Sequence, residues 1–181
     1  MDHQPASSIL STATGFIAAF DYTLNPYSGC AFACSYCYAA FFTPTQAMQD
    51  EWGQWVRVKD NALDLLKRRR KRPLIDKAIY MSSVTDPYQP VEKQLELTRA
   101  LLRELLDYHQ VHLVIQTRSP LVRRDLDLIR EFASARVNMT VTTDDETIRK
   151  AFEPTCPPNT LRLDAIRDVA AAGIDSCVTL A

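Results

Sequence analysis

The sequence lacks any long apolar run. None approaches the ~18 uninterrupted residues of a membrane-spanning helix, so a transmembrane protein is not expected. It lacks a charge excess as well. Lys and Arg number 21 and Asp and Glu 22, a formal net charge of −1. No global field of that size draws a chain to nucleic acid or to an anionic membrane. The opening MDHQPASSIL has neither the basic nor the apolar stretch of a secretory signal, and a cytoplasmic location is expected. Histidine is scarce: His3, His109 and His112 are the only ones. No internal repeat is visible. With 46% hydrophobic and 24% charged residues over 181 positions, the composition is that of one soluble globular domain.

Cysteine is present in an odd number, five, and three of them crowd into Cys30, Cys34 and Cys37 at spacing C-x3-C-x2-C. A secreted disulfide framework is usually even and dispersed, so this cluster reads as metal-binding in a reducing compartment. A zinc site wants four ligands, often a second cysteine pair or histidines, and no histidine stands beside the loop. Iron–sulfur clusters are held by cysteine thiolates, usually four. Three close cysteines can hold three irons of a cubane and leave the fourth iron open, which is where a metal centre does chemistry. Aromatics flank the thiols: Tyr27, Phe32, Tyr36 and Tyr38. Cys156 and Cys177 stand alone and are expected to be buried or inert.

Along the chain, residues 1–19 carry few signals and read as a loose arm. Strands are expected near positions 20, 78, 111, 136 and 174, from short alternating or apolar runs. Helices are expected between them. One follows Asp60 and ends in KRRRKRP; one runs from Pro90 to about His109 on a leucine stripe; one carries Leu126, Ile129 and Phe132. Thr143 to Glu146 is a capping-box pattern opening another. Asn159 or Thr160 caps the last, and Gly173 ends it. This strand-then-helix rhythm predicts an α/β fold with parallel strands, outer helices and chemistry at the carboxyl ends of the strands. The basic run Lys67–Arg72 reads either as a solvated helix end or as a nucleic-acid contact.

NPYSGCAFACSYCYAA, from Asn25 to Ala40, resembles the signature of the radical S-adenosylmethionine (SAM) superfamily, and its NPY and CYA flanks narrow the resemblance to the spore photoproduct lyase-like branch. SSVTDPYQPVE, from Ser82 to Glu92, is similar to that branch too, as are Glu153-Pro154 and Arg162-Leu163. The resemblance implies a partial (βα) barrel with residues 20–181 as the core domain. The family has six βα units, so the chain is expected to be truncated after the fifth strand. It implies a [4Fe–4S] cluster on Cys30, Cys34 and Cys37, with SAM chelating the fourth iron, and a flavodoxin- or ferredoxin-type one-electron reductant as partner. It implies that Tyr36 packs on the adenine, that Thr85 and Asp86 meet the SAM amino group, and that Thr117, Arg118 and Ser119 belong to the cofactor site, with Arg118 meeting the SAM carboxylate. Each has a plainer reading: loop packing for Tyr36, a helix-opening loop for Thr85 and Asp86, a surface loop for Arg118. The branch usually has lysine where this chain has Arg118. The hydrogen-donating cysteine of the lyase proper has no counterpart in Met81–Thr85. The expected function is a radical SAM enzyme of unassigned substrate, with DNA photoproduct repair in doubt. A non-catalytic iron–sulfur redox module and a DNA-binding protein are the alternatives.

Overall fold

The computed structural model describes residues 1–180. Strands β1 (Asp2–His3), β2 (Leu10–Thr12), β3 (Tyr22–Leu24), β4 (Tyr27–Gly29) and β5 (Val56–Val58) come first, with helix α1 (Gln46–Asp50) between β4 and β5. Helices and strands then alternate: α2 (Ala62–Lys67), β6 (Ile75–Met81), α3 (Glu92–Leu95), α4 (Leu97–Tyr108), β7 (Gln110–Thr117), α5 (Leu126–Ile129), β8 (Ser134–Thr140), α6 (Glu146–Phe152), α7 (Asn159–Ala171) and β9 (Asp175–Thr179). The main sheet has the order β2-β3-β6-β7-β8-β9. β3 and β6 to β9 are parallel, and β2 joins the edge antiparallel to β3. This is the predicted α/β architecture, with a strand at each of the predicted places.

Side-chain alternation gives the parallel strands two faces. One face carries Ile79 and Met81 of β6, Leu113 and Ile115 of β7, and Val137 and Met139 of β8, all buried. The leucine stripe of α4 (Leu101, Leu102 and Leu105, fully buried) joins this core, as do Ala165, Ile166 and Val169 of α7. Each such leucine contributes about 1.5–3 kcal/mol on leaving water. The other face is polar at its carboxyl end. Tyr80 Oη donates to Gln116 Oε1 at 3.0 Å, and Gln116 Nε2 donates to Thr140 Oγ1 at 2.6 Å. Among the described residues, no helix is long and apolar enough to cross a membrane.

Some expectations are corrected. Residues 1–19 are not a loose arm. β1 pairs with β5 in a small sheet of order β1-β5-β4, β2 covers the edge of β3, and Ile9 is buried. An edge strand left bare would expose unpaired backbone groups, and the apolar pair Ile9-Leu10 anchors its cover. The helix expected from Pro90 to His109 is two helices, broken at Glu96, whose φ of 49° is left-handed. The carboxylate of Glu92 accepts from Thr98 N at 2.9 Å and Arg99 N at 3.4 Å, so it caps α4 instead of sitting in one long first turn. The cap of α6 is Asp145, which accepts from Thr147 N and Ile148 N; Thr143 accepts from Asp145 N instead. α7 begins at Asn159 without a side-chain cap, because the residue in the cap position is Pro158, whose side chain offers no acceptor; Asn159 lies inside the helix and its amide donates to Thr143 O at 2.5 Å. The basic run splits into the end of α2 and a 3-10 turn, Arg68–Lys71.

His109 closes α4 with Nδ1 accepting from Leu74 N at 3.1 Å. Burial holds its pKa below the ordinary value. The unfolded chain therefore binds a proton that the folded chain refuses, so stability is intact above pH ~6.5 and falls as pH drops below it. Thermal melts of His109→Asn, whose amide oxygen can still accept from Leu74 N, are expected to lose part of the drop that the native chain shows between neutral and mildly acidic pH. An unchanged drop would assign it to other groups.

Candidate metal centre and cofactor cavity

The three clustered cysteines lie in irregular chain between β4 and α1, where a loop's shape must come from outside it. β4 delivers the chain at Gly29, whose φ of +75° and surroundings admit no side chain. A Cβ there would lie 2.5 Å from the Trp55 ring and 2.6 Å from its carbonyl oxygen. The loop that follows β6 then holds this segment. Asn25 Oδ1 accepts from Ser83 N at 2.9 Å and Val84 N at 3.3 Å. Thr85 Oγ1 donates to Gly29 O at 2.6 Å, and Gln89 Oε1 accepts from Ala31 N at 3.0 Å. Tyr27 Oη donates to the fully buried Glu92. The polar residues of TDPYQPVE are thus spent largely on the cysteine segment.

A second brace comes from the end of α6, far along the chain. Ser35 N donates to Phe152 O at 2.9 Å, and Thr155 Oγ1 donates to Ala31 O at 2.7 Å. Tyr36 Oη donates to Glu153, which is fully buried. Arg162 Nη2 reaches Glu153 Oε2 at 2.5 Å, an ion pair between two fully buried side chains. Cys156 Sγ lies 3.8 Å from Cys34 Sγ. It is buried as expected, but it is not isolated. Of the two alternatives expected for Cys177, buried or inert, burial does not hold: it is exposed on β9, where its face of that edge strand is uncovered.

Cys30, Cys34 and Cys37 open onto one cavity of about 300 Å³. Its wall also holds Tyr36 of the cysteine loop and Ser82, Thr85, Asp86, Thr117, Arg118, Thr140 and Thr179, at or just beyond the carboxyl ends of β6 to β9. Of the predicted contact residues, Ser119 alone is not on this wall; its Oγ accepts from Leu121 N at 3.3 Å and caps the next turn. Asp86 is heavily used. It accepts from Thr117 Oγ1 at 2.7 Å, Tyr88 N at 2.8 Å and Arg118 N at 2.9 Å. Burial nevertheless raises its pKa. Arg118 Nη1 donates to Glu153 Oε1 at 2.7 Å, Tyr36 Oη at 2.9 Å and Cys34 Sγ at 2.9 Å. The pKa of Cys34 is lowered by the hydrogen bond from Cys156, against burial, with the Arg118 charge helping. Burial pushes the thiols of Cys30 and Cys37 up. The basic run lies elsewhere. It precedes β6 at the amino end of the sheet, about 20 Å from the cavity at ~3.3 Å per strand residue, and Arg70 within it is paired with Glu104 at 2.5 Å.

These residues fit an iron–sulfur cluster. The donors are three free thiols on one cavity wall, soft ligands of the kind iron–sulfur clusters take. Among the described residues no three His, Cys, Asp or Glu side chains converge on one point, as a single ion would need. A cubane takes one thiolate per iron, so its ligands surround a group and not a point. Trp52 lines the same cavity, and its buried Nε1–H has no hydrogen-bond partner among the described residues, a donor that a sulfide or thiolate would satisfy.

Reconstituting the chain with iron and sulfide under anaerobic conditions is expected to give the broad visible absorbance of a cluster. Cys34→Ala should abolish it and Cys177→Ala should leave it intact. Full absorbance in Cys34→Ala would remove Cys34 from the ligand set.

Comparison with known proteins agrees with this geometry. The chain is 40% identical over 153 residues to an uncharacterized protein of Methanocaldococcus jannaschii, covering 84% of this chain and 56% of that one. It is 32% identical over 171 residues to an uncharacterized protein of Mycobacterium tuberculosis, covering 90% and 49%. The chain thus spans about half the length of these curated relatives. Solved structures of spore photoproduct lyase variants share the fold. One superposes with a TM-score of 0.71 at 21% identity, covering 99% of this chain and 50% of that one. Another, with bound AdoMet and dinucleoside spore photoproduct, gives 0.71 at 20% identity over the same shares. The profile of the radical SAM superfamily matches residues 24–181, and the chain belongs to that superfamily.

Proposed function

We propose that this chain binds a [4Fe–4S] cluster through Cys30, Cys34 and Cys37 and cleaves S-adenosylmethionine reductively, yielding a radical that takes hydrogen from a substrate. The observation that carries this reading is the single cavity shared by the three free thiols and the strand-end residues of β6 to β9. When bound, the cluster supplies one electron to the sulfonium, so that its C5′–S bond breaks to methionine and a 5′-deoxyadenosyl radical. A flavodoxin- or ferredoxin-type protein is the fitting electron source, and the cytoplasm the fitting compartment for reduced thiols.

The chain's own residues bind, orient and shield. Tyr36 offers a ring at the cavity mouth for the adenine. Its phenol stays protonated, since burial raises its pKa. Thr85 and Asp86 place acceptors where an ammonium would sit, and Thr117 holds Asp86 in place through its hydroxyl. Arg118 places a cation for the carboxylate, and Ser119 holds the turn that follows. Phe32 and Trp52 pack around the thiols and keep water from them. The polar row Tyr80, Gln116, Thr140 and Thr179 faces the space left for a substrate. A spore photoproduct lyase of this fold holds a dinucleoside spore photoproduct, but Met81–Thr85 here contains no cysteine. The substrate is therefore assigned no further than a molecule that enters this polar cavity.

The anaerobically reconstituted chain, given dithionite and S-adenosylmethionine, is expected to release 5′-deoxyadenosine, and Cys30→Ala to release none. A chain with an intact cluster that yields no 5′-deoxyadenosine would favour a non-catalytic redox module.

A further inference from the structure

Glu153 is the one carboxylate that meets both predicted cofactor contacts on the cysteine side of the cavity. It is fully buried, and its two oxygens look different ways. Oε2 takes Arg162 Nη2 at 2.5 Å, which ties it to α7. Oε1 takes Arg118 Nη1 at 2.7 Å and Thr142 Oγ1 at 3.0 Å, and also accepts from Tyr36 Oη. All three bonds that Arg118 makes through its side chain use Nη1: to Glu153, to Tyr36 and to Cys34. Nε and Nη2 have no hydrogen-bond partner among the described residues, on a side chain that lines the cavity. A guanidinium held by one corner keeps an edge with two parallel N–H donors, and that edge matches a carboxylate bidentately.

We propose that Glu153 is a positioning residue: it pins Nη1 of Arg118, and with it Tyr36, so that the free Nε–Nη2 edge is presented to the carboxylate of the amino-acid end of S-adenosylmethionine. This rests on the proposed cofactor reading and adds a residue to it. Glu153 touches no ligand itself. Its effect on binding runs through Arg118, and that makes it separable from a general structural role. Two residues acting as one unit are non-additive, while a residue that merely supports the fold costs the same in any background.

The test is a double-mutant cycle on the anaerobically reconstituted chain, with S-adenosylmethionine affinity measured by calorimetry and cluster absorbance and melting temperature recorded alongside. Glu153→Gln is expected to weaken binding about tenfold where Arg118 is present, and less than about twofold in the Arg118→Lys background. Glu153→Asp keeps the charge opposite Arg162 but shortens the reach to Nη1, so it should show the same dependence on Arg118 if the glutamine variant does not fold. Equal losses in both backgrounds, or no loss with Arg118 present, would overturn the proposal. A native chain that holds its cluster yet binds no S-adenosylmethionine would overturn the cofactor reading beneath it, a result distinct from either.

Discussion

Two buried carboxylates hold the cysteine segment, and the geometry of the cavity depends on them. Glu92 accepts from Tyr27 Oη, from Arg124 Nη2 at 2.6 Å and from the first backbone N–H groups of α4. Glu153 accepts from Tyr36 Oη, from Arg118 and from Arg162. Each glutamate is fully buried, and each binds one tyrosine beside or within the cysteine motif and at least one arginine from a helix or strand end. A carboxylate out of water needs its lone pairs filled, and losing one partner of such a pair costs about 3–5 kcal/mol because the other charge stays behind. The arrangement therefore resists piecemeal change. It also explains why positions 27 and 36 are tyrosine and not phenylalanine: burial and the neighbouring charge keep the Tyr27 proton on, so the phenol remains a donor.

This constraint changes the meaning of the TDPYQPVE stretch. A reading confined to ligand contacts makes Thr85 and Asp86 the important residues and leaves Gln89 and Glu92 as helix-opening furniture. In the fold, Thr85, Gln89 and Glu92 bond to Gly29, Ala31 and Tyr27 in turn. The block is the mould in which the loop sets. Contact with a ligand and support of the loop are compatible for Thr85, since it lines the cavity and braces the loop at once. Asp86 is braced from three sides, and its carboxylate fixes Arg118 N and Thr117 at the end of β7.

The parallel core was legible because its signals are local. Alternation in VHLVIQT and the leucine stripe of α4 report burial directly, and Gly173 reports a helix end through its φ of +77°. The C-x3-C-x2-C loop was legible because its spacing is chemical. What was hidden is tertiary. Glu96 looks like an ordinary helix residue, and only the reach of Glu92 to Thr98 N and Arg99 N shows why the helix breaks there. Asp145, two residues beyond Thr143, is the one placed to accept from the first N–H groups of α6, and Thr143 is spent on Asp145 N. The pairing of residues 1–12 with β3 and β5 joins short segments too weak to be recognised alone. The closeness of Cys156 to Cys34 spans 122 residues, and no spacing rule foretells it.

The same network bears on why arginine can stand where the branch usually has lysine. Cys34, Tyr36 and Glu153 all draw on a single nitrogen of Arg118. A lysine ammonium has three donors on one atom, and three such inward partners would consume them all. A guanidinium spreads five donors over a plane, so three partners sharing the two hydrogens of Nη1 still leave Nε and Nη2 free. Arginine at this position is therefore matched to a Glu153–Tyr36 pair that draws it inward. A lysine would keep a donor for a carboxylate only where that inward pull was weaker, so the side chains at 36, 118 and 153 form one hydrogen-bonded unit in the fold.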